Sequence, residues 1–320
     1  MRLGVLDVGS NTVHLLVADA RRGAPVRPVH SEKKVLLLAE RVGRDGALTG
    51  AGVDALVAAV AQARLSAQRL GSADLLALAT SAVRDATNAP DVLARVRAET
   101  GVRLQALSGT DEARLTFLAV RRWFGWSAGR LLVLDIGGGS LELAAGPDEE
   151  PECALSLPLG AGRLTREWFA TGPDADAVPA PAVVAQLEEH VERILGPALE
   201  EVTRTGWDRV AATSSTFRTL ARLAGAAPSA AGIRVRRELT RTGLREVATL
   251  VRHVPPARLA KLDGVGPRRA HQLLAGAVVA EAVLRRLGVE SLDICPWALR
   301  EGAILHRVDQ VAPSPPAVVG

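Results

Sequence analysis

Short apolar runs that end on polar residues predict strands in two places along the chain. Residues 3–7 and 13–18 are predicted strands joined by a turn at GSNT, and residues 131–135 and 141–145 are predicted strands joined by GGGS. Later strands are predicted at residues 75–80, 102–107, 153–157 and 209–213. The pattern therefore favours short strands that are closed by glycine-containing turns.

Longer segments with apolar residues three or four positions apart predict amphipathic helices. They cover residues 54–70, 89–99, 111–123, 182–201, 216–223, 239–252, 268–287 and 298–308. Polar, proline-containing loops are expected at 146–151 and 171–181, and residues 311–320 are predicted to be a disordered tail. Because strands lead each half and helices alternate with later strands, the predicted class is α/β.

The chain repeats itself. When LGVLDVGSNTVHLLVADA is aligned with LLVLDIGGGSLELAAGPD, Asp7 falls on Asp135 and Thr12 on Ser140, at an offset of 128 residues. ALATSAVR and VAATSSTFR match at a similar offset. Short strands before glycine turns can look alike by chance, but two matches predict a duplicated domain. We expect one domain at 1–126 and a second at 127–310.

Composition indicates an ordinary globular protein. With 48% hydrophobic and 23% charged residues in 320, it is neither disordered nor collagenous, and it has the length of about two domains. The 39 basic residues exceed the 35 acidic ones, but only three are lysines. Many arginines stand at helical spacing from acids, which favours ion pairs on a solvated face over a nucleic-acid stripe. A positive field would still attract a polyanion other than DNA.

The cysteines and the apolar segments exclude several further classes. Cys153 and Cys295 are isolated, so they predict buried reduced thiols and neither a zinc site nor a disulfide framework. The N-terminus begins with a predicted strand and not with a signal peptide. The sequence contains no stretch of about 18 uncharged apolar residues, so no membrane span is predicted. We therefore expect a cytoplasmic protein that binds neither a membrane nor nucleic acid.

The two glycine-containing turns are candidate anion-binding loops. Small residues after a strand allow backbone N–H groups to converge on one point, and hydroxyl or amide side chains can add donors. One such turn is weak evidence, whereas two at matched positions could hold neighbouring phosphates across a cleft. The candidate phosphate-binding residues of the two turns are Gly9, Ser10, Asn11, Thr12, Gly137, Gly138, Gly139 and Ser140.

Carboxylates stand beside both turns. Asp7 and Asp135 end their strands, and Glu142 lies on the strand that returns from the second turn. Mg²⁺ prefers such oxygen ligands and usually takes one or two protein carboxylates together with phosphate oxygens. For Asp135 with Glu142 the pattern favours a metal site. For Asp7, metal binding and simple capping of the turn amides stay open.

Six motifs in order carry a family resemblance: DVGSNTVHLLV, ATSAVRDATN, SGTDEARLTFLAV, DIGGGSLEL, SLPLGAGRLT and RRAHQLLAGAVVAEAVL. Together they closely resemble the exopolyphosphatase and guanosine pentaphosphate phosphatase family, from residue 3 to about residue 307. The resemblance implies two actin-like, ribonuclease-H-like domains with the active site in the cleft between them.

The resemblance also assigns roles to single residues. SGTDEA implies that Glu112 is the catalytic base that takes a proton from the attacking water. Arg84 matches a phosphate-binding arginine, and Asp135 with Glu142 match Mg²⁺-associated carboxylates. From the residues alone, Glu112 would be a helix-end partner and Arg84 an ion-pair partner of Asp85.

Three departures from the family pattern affect these expectations. His14 stands where an arginine is common, so this phosphate contact is expected to be pH-dependent, or absent if the ring only packs on its strand. Ser214 and Ser215 replace a glycine, so the sequence does not decide whether this chain has a third turn that faces phosphate or nucleotide. The helical domain of longer members is not expected, which argues against strong processivity.

The resulting prediction is a hydrolase that releases terminal phosphate from inorganic polyphosphate, with a preference for short chains, by Mg²⁺-assisted attack of water. The alternatives are a guanosine pentaphosphate 5′-phosphatase, a non-catalytic sensor of polyphosphate or alarmone, and an actin-like ATPase or sugar kinase. Pairing of two chains into a homodimer is left open by the sequence.

Overall fold

The computed structural model describes residues 1–43, 45–169 and 176–311. Residues 171–175 of the predicted loop at 171–181, and the predicted tail beyond Val311, lie outside these residues. Cys153 and Cys295 are buried free cysteines, as predicted. No helix in the three described ranges is long and apolar enough to cross a bilayer.

The first half of the chain forms a five-stranded mixed sheet in the order β3-β2-β1-β4-β5. Neighbours β1, β2 and β3 are antiparallel, whereas β1, β4 and β5 are parallel. Its strands are β1 (Arg2–Val8), β2 (Thr12–Asp19), β3 (Arg27–Val35), β4 (Asp74–Ala79) and β5 (Gln105–Ala106).

The second half forms a six-stranded mixed sheet in the order β10-β11-β9-β6-β7-β8. As in the first sheet, a central strand pairs antiparallel with the strand after it and parallel with a later one. Its strands are β6 (Leu131–Ile136), β7 (Leu141–Gly146), β8 (Cys153–Leu157), β9 (Arg209–Thr213), β10 (Glu238–Thr240) and β11 (Ser291–Ile294). The two sheets thus share a topology, which confirms the predicted α/β fold of two duplicated units.

Helices cover both faces of the two sheets. The α-helices are α1 (Gly50–Arg69), α2 (Ser81–Arg84), α3 (Ala89–Thr100), α4 (Gly109–Phe124), α5 (Ala161–Trp168), α6 (Pro181–Thr205), α7 (Ser214–Leu223), α8 (Arg241–His253), α9 (Pro256–Leu259), α10 (Leu273–Arg286) and α11 (Leu299–Val311). Short 3₁₀ helices occur at Leu38–Arg41, Trp126–Ala128, Ser229–Ala231 and Pro267–Gln272.

Three hydrophobic cores result, one on the outer side of each sheet and one between the sheets. Alternate residues of β1 face opposite cores: Leu6 and Val8 pack with α1 and α3, whereas Leu3 and Val5 pack with α4 and α11. The core between the sheets also contains Leu131 of β6, so it joins both halves. A division at residue 126 stays a proposal, since α11 from the second half packs on α4 and β1 of the first.

Some elements differ from those predicted. β3 was missed because its sequence, RPVHSEKKV, is largely polar, as is usual for an exposed edge strand. The strand expected at 102–107 shrinks to Gln105–Ala106, and the helix expected from residue 239 is preceded by β10. The helix expected at 268–287 begins as a 3₁₀ turn. β11 and α5 were also missed.

Candidate active site

The central strands β1 and β6 carry equivalent loops at their carboxyl ends. Asp7 lies opposite His14 across the first hairpin, and Asp135 lies opposite Glu142 across the second. Each loop is closed by one backbone bond, from Gly9 N–H to Thr12 and from Gly137 N–H to Ser140, both at 2.9 Å. The aligned residues of the repeat therefore have matching positions in the structure.

The two loops face each other so closely that side chains would collide. A Cβ atom on Gly138 would lie 2.8 Å from Ser10 Cβ, and one on Gly139 would lie 2.2 Å from Ser81 Oγ. Behind them, a Cβ on Gly160 would lie 2.2 Å from the carbonyl carbon of Gly139. Glycine is needed here for close approach of the backbone and not for an unusual φ.

Free backbone donors line the space between the loops. Within the described part of the chain, the N–H groups of Ser10, Asn11, Gly138 and Gly139 have no hydrogen-bond acceptor. Unpaired amides at such a turn form a nest for an anion. The predicted phosphate-binding residues of the two loops are therefore brought together, and their binding role stays a proposal.

Two side chains of the first loop already have partners across the site. The Asn11 amide donates to Gln272 at 3.0 Å and accepts from it at 3.3 Å, while the hydroxyl oxygens of Ser10 and Ser81 lie 2.9 Å apart. Gln272 is the last residue of the motif RRAHQ in the second half. The Asn11–Gln272 pair therefore links the two halves of the cleft.

Glu112 is released from helix capping by its neighbours. Ser108 is the N-cap of α4: its hydroxyl accepts from the Asp111 N–H at 3.0 Å and donates to the Asp111 carboxylate at 2.7 Å. The Asp111 side chain therefore contacts the N-cap hydroxyl directly. The Glu112 side chain lines the cleft instead.

The Glu112 carboxylate is an unusual buried acid. Oε2 is buried and accepts no hydrogen bond from any described residue, and Arg84 Nη1 lies 3.5 Å from it. Burial, followed by the nearby Glu142, Asp7 and Asp135, raises the pKa of Glu112 well above its usual range. Arg84 also pairs with Asp85 at 2.8 Å, which is the ion pair considered from the sequence.

Asp135 and Glu142 form a second acidic group beside Glu112. Burial is the main cause that raises the pKa of Asp135 to about 7 and that of Glu142 to about 8. The Glu142 carboxylate accepts from Ser156 Oγ at 2.8 Å. Asp7 differs because its Oδ2 lies 3.3 Å from Arg300 Nη1. Burial raises the pKa of Asp7, and Arg300 opposes that rise.

These carboxylates fit a metal site in which the protein supplies only one or two of the ligands. No group of three or more His, Cys, Asp or Glu side chains in residues 1–43, 45–169 and 176–311 is arranged to hold a metal ion. Mg²⁺ does not require such a group, since it usually keeps water and substrate oxygens as ligands. A pair of buried carboxylates with raised pKa values is also a place where a cation would relieve repulsion.

Four cations complete the site, and sequence reasoning did not single them out as site residues: Lys33, Arg218, Arg269 and Arg300. Arg218 ends the repeated ATS motif and Arg269 lies in RRAHQ, so the motifs held a signal for both. Lys33 comes from the polar edge strand β3 and Arg300 from the start of α11. Only the tertiary fold brings these two into the cleft.

The family departures also have structural counterparts. His14 donates or accepts a 2.7 Å hydrogen bond with Ser31 Oγ, and burial lowers its pKa to about 3, so the ring is neutral near pH 7. Ser214 adopts a φ of 76°, a left-handed conformation that favours glycine. The next residue, Ser215, contacts Arg269.

Between the loops lies a cleft of about 180 Å³. It is lined by both loops, by Glu112, Asp7 and Asp135, and by the four cations. Arg84 and Glu142 do not line the cleft themselves. Arg84 contacts Glu112, and Glu142 contacts Ser156. The arrangement can hold a small polyanion against a buried carboxylate.

Comparison with known proteins identifies the family. The model of the Ppx/GppA phosphatase family matches residues 16–311. Exopolyphosphatase 1 of Mycobacterium tuberculosis is 56% identical over 313 residues, covering 98% of this chain and 90% of that protein. Exopolyphosphatase 1 of Mycobacterium leprae is equally similar, over 91% of its length.

Solved structures show the same fold. An exopolyphosphatase from Cytophaga hutchinsonii superposes with a TM-score of 0.86 at 21% identity, covering 98% of this chain and 99% of that one. The Ppx/GppA family member of Aquifex aeolicus gives a TM-score of 0.81 at 24% identity, with the same coverage. The sequence and fold comparisons together show that this chain belongs to the Ppx/GppA phosphatase family.

Proposed function

We propose that this protein is an exopolyphosphatase that releases terminal phosphate from inorganic polyphosphate. The observation that carries the proposal is the buried Glu112 carboxylate, free of capping contacts, which faces two loops with unpaired N–H groups. The 56% identity to mycobacterial proteins named exopolyphosphatase 1 supports the same substrate. The base, the anion nests and the cations are the groups that hydrolysis of a phosphoanhydride needs.

The mechanism follows from position and charge. The loop amides and the arginines hold the terminal phosphoryl group and stabilise negative charge on its oxygens. The Glu112 carboxylate accepts a proton from a water molecule that attacks phosphorus opposite the bridging oxygen. The bond to that oxygen breaks, and the shortened chain leaves with the electron pair. Burial strengthens Glu112 as a base because it destabilises the ionised form.

Asp135 and Glu142 are the proposed holders of Mg²⁺, with Asp7 as an additional candidate. When bound, Mg²⁺ would neutralise charge on the phosphate oxygens. We expect Asp135→Asn and Glu142→Gln to raise the Mg²⁺ concentration needed for half-maximal activity, because each removes a negative oxygen. A Glu152→Gln variant, altered at an exposed residue, is the control. An unchanged Mg²⁺ titration in both variants would favour turn-capping carboxylates.

A second candidate is hydrolysis of guanosine pentaphosphate. A hollow of about 550 Å³ shares Ser215 and Arg218 with the cleft and continues past Pro228, Ile233 and Ile294. Its apolar wall and its contact with the phosphate site suit a nucleoside attached to a phosphate chain. This hollow is the observation that keeps the nucleotide substrate as an alternative.

Phosphate release from tripolyphosphate, long polyphosphate, guanosine pentaphosphate and ATP, with Mg²⁺ and with chelator, tests the proposal. We expect the highest kcat/KM for inorganic polyphosphate and loss of release with chelator. Preference for guanosine pentaphosphate would favour the second candidate. Turnover of ATP alone would indicate an actin-like ATPase, and tight binding without release would indicate a sensor.

A further inference from the structure

Arg300 reaches the cleft from an element that crosses between the halves. Helix α11 follows the last strand of the second sheet, yet it packs on α4 and on β1 of the first. A Cβ on Gly302 would lie 1.9 Å from the carbonyl oxygen of Leu115 in α4, so the two helices touch backbone to backbone. Arg300 therefore lies on a helix that packs directly against α4, the helix that carries Glu112.

One contact fixes the start of α11 next to Arg300, whereas Arg307, seven residues further on, pairs with Asp74 of β4 outside the cleft at 2.8 Å. The buried Glu301 carboxylate accepts from the Ala298 N–H at 2.9 Å and so closes the start of the helix. The position of Arg300 relative to Asp7 and Glu112 is thus set within one packed unit.

The Arg300 guanidinium is underused by the described residues. Its one hydrogen bond there is the 3.3 Å contact with Asp7, and its Nε is buried without a partner. By comparison, Arg2 binds Asp19 through two nitrogens at 2.8 and 3.0 Å. A guanidinium has five N–H donors, and its fork matches carboxylate or phosphate oxygens when it is fully engaged.

Arg300 also stands among like charges. It lines the cleft together with Lys33, Arg218 and Arg269, and its charge acts on His14, Lys33 and Arg218. Four cations in one small cleft repel each other. Asp7 and Asp135 offset part of this repulsion, and a bound anion with several charged oxygens would offset more of it.

We propose that Arg300 is a substrate-binding residue that transfers its contact from Asp7 to the oxygens of the terminal phosphoryl group. The proposal rests on the polyphosphate hydrolysis proposed above and adds a residue to it. Because α11 packs on α4, Arg300 holds the phosphoryl group at a fixed position relative to Glu112.

The test compares Arg300→Gln and Arg300→Lys with Arg307→Gln, which removes a guanidinium from the same helix outside the cleft. Loss of one charge-stabilising donor typically costs about 10²- to 10³-fold in kcat. We expect at least a ~100-fold loss for Arg300→Gln, partial recovery in Arg300→Lys, and near wild-type kcat for Arg307→Gln. If Arg300→Gln does not fold, Arg300→Lys against Arg307→Lys makes the same comparison.

A binding measurement separates this role from a structural one. Calorimetric titration of tripolyphosphate into Glu112→Gln and Glu112→Gln/Arg300→Gln, with chelator, should show affinity weaker by about tenfold or more in the double variant, as expected for one lost charged contact. Equal affinities, or equal kcat in Arg300→Gln and Arg307→Gln, would overturn the inference. If wild-type protein released no phosphate, the proposed function would fail, and the affinity comparison would still decide on Arg300.

Discussion

At the scale of single residues, the site is a group of buried charges that the protein only partly compensates. Glu112, Asp135 and Glu142 all have raised pKa values because burial disfavours their ionised forms, while the cations on the opposite side of the cleft are themselves crowded. Such clusters are typical of functional sites, because a group poised near neutral pH can exchange protons or bind a charged ligand. Substrate phosphate would compensate the cations.

Glu112 is the proposed proton acceptor. Glu112→Gln keeps the shape of the side chain but removes the proton acceptor, so we expect hydrolysis to fall by about 10² to 10⁴-fold with little change in melting temperature. Asp111→Asn, altered at an exposed acid in the same helical turn, is the matched control and should keep a rate within a few-fold of wild type. Initial rates and thermal melts check both. A Glu112→Gln rate near that of wild type would exclude Glu112 as the base.

His14 is expected to make the stability of the fold depend on pH. Burial, Arg300, Lys33 and Arg218 lower its pKa to about 3, so the folded protein leaves the ring neutral where the unfolded chain would protonate it. The stabilising effect of a neutral ring is therefore present above pH ~6.5 and is lost as pH falls toward ~3. We expect His14→Gln, which keeps a partner for Ser31, to melt with a weaker pH dependence than wild type.

Melts at pH 7.5 and 5.0 measure this effect. After allowance for solvent at the partly exposed ring, we expect the free energy of unfolding of wild type to fall by about 1 kcal/mol more than that of His14→Gln. His306→Gln, altered at an exposed histidine of α11, is the control and should follow wild type. Parallel pH profiles for wild type and His14→Gln would show that His14 is not shielded as described.

At the scale of elements, close backbone approach sets the geometry of the cleft. The second glycine loop lies between the first loop and the start of α5, where Ala161 N–H donates to Gly137 and Arg163 N–H to Gly138. The side of this loop that faces away from the cleft is therefore packed against α5. The addition of one methyl group behind the loop should therefore displace the N–H groups of the anion nest.

Gly160→Ala tests this packing. Its Cβ would lie within 2.5 Å of three backbone atoms of residues 139 and 140, so the loop must shift. Overpacking of this kind costs about 1–3 kcal/mol, and we expect KM for polyphosphate to rise as the N–H groups move. Gly50→Ala, at the start of α1 with open space around it, is the control. Wild-type KM in Gly160→Ala would mean that the loop tolerates displacement.

At the scale of the whole molecule, positive charge is concentrated in one cleft. Many surface arginines have acidic partners, such as Arg163 with Asp85 at 2.8 Å and Arg241 with Glu290 at 2.7 Å. Exposed pairs of this kind contribute little to binding, and their charge is screened beyond about 8 Å at physiological salt. The ~180 Å³ cleft is thus the main place where a phosphate chain can be gripped.

We therefore predict distributive hydrolysis with a preference for short polyphosphate, together with a steep loss of long-chain binding as salt rises. Gel electrophoresis of partly digested long polyphosphate checks this, with a shift of the whole population to shorter lengths as the expected result. Full-length polymer that coexists with end products, without intermediates, would show processivity and contradict the prediction. Short-chain kcat/KM at the same salt concentrations is the control.

The sequence by itself determined the repeated strand-loop-strand units, the two glycine loops and the acids beside them. These features are local: a strand that ends on Asp7 or Asp135 and turns through glycine needs only its own residues, so the pattern is visible in one dimension. The family motif also made Glu112 the candidate base, although local reasoning alone favoured a cap.

The tertiary structure decided which charges share the cleft. Ser108 caps α4, and Asp111, not Glu112, contacts its hydroxyl, because the backbone geometry places the third helical residue there. Lys33 and Arg300 stand 267 positions apart in the numbering and meet only because β3 forms a sheet edge and α11 crosses to the first half. Contacts of this range depend on packing of the cores, which no local pattern records.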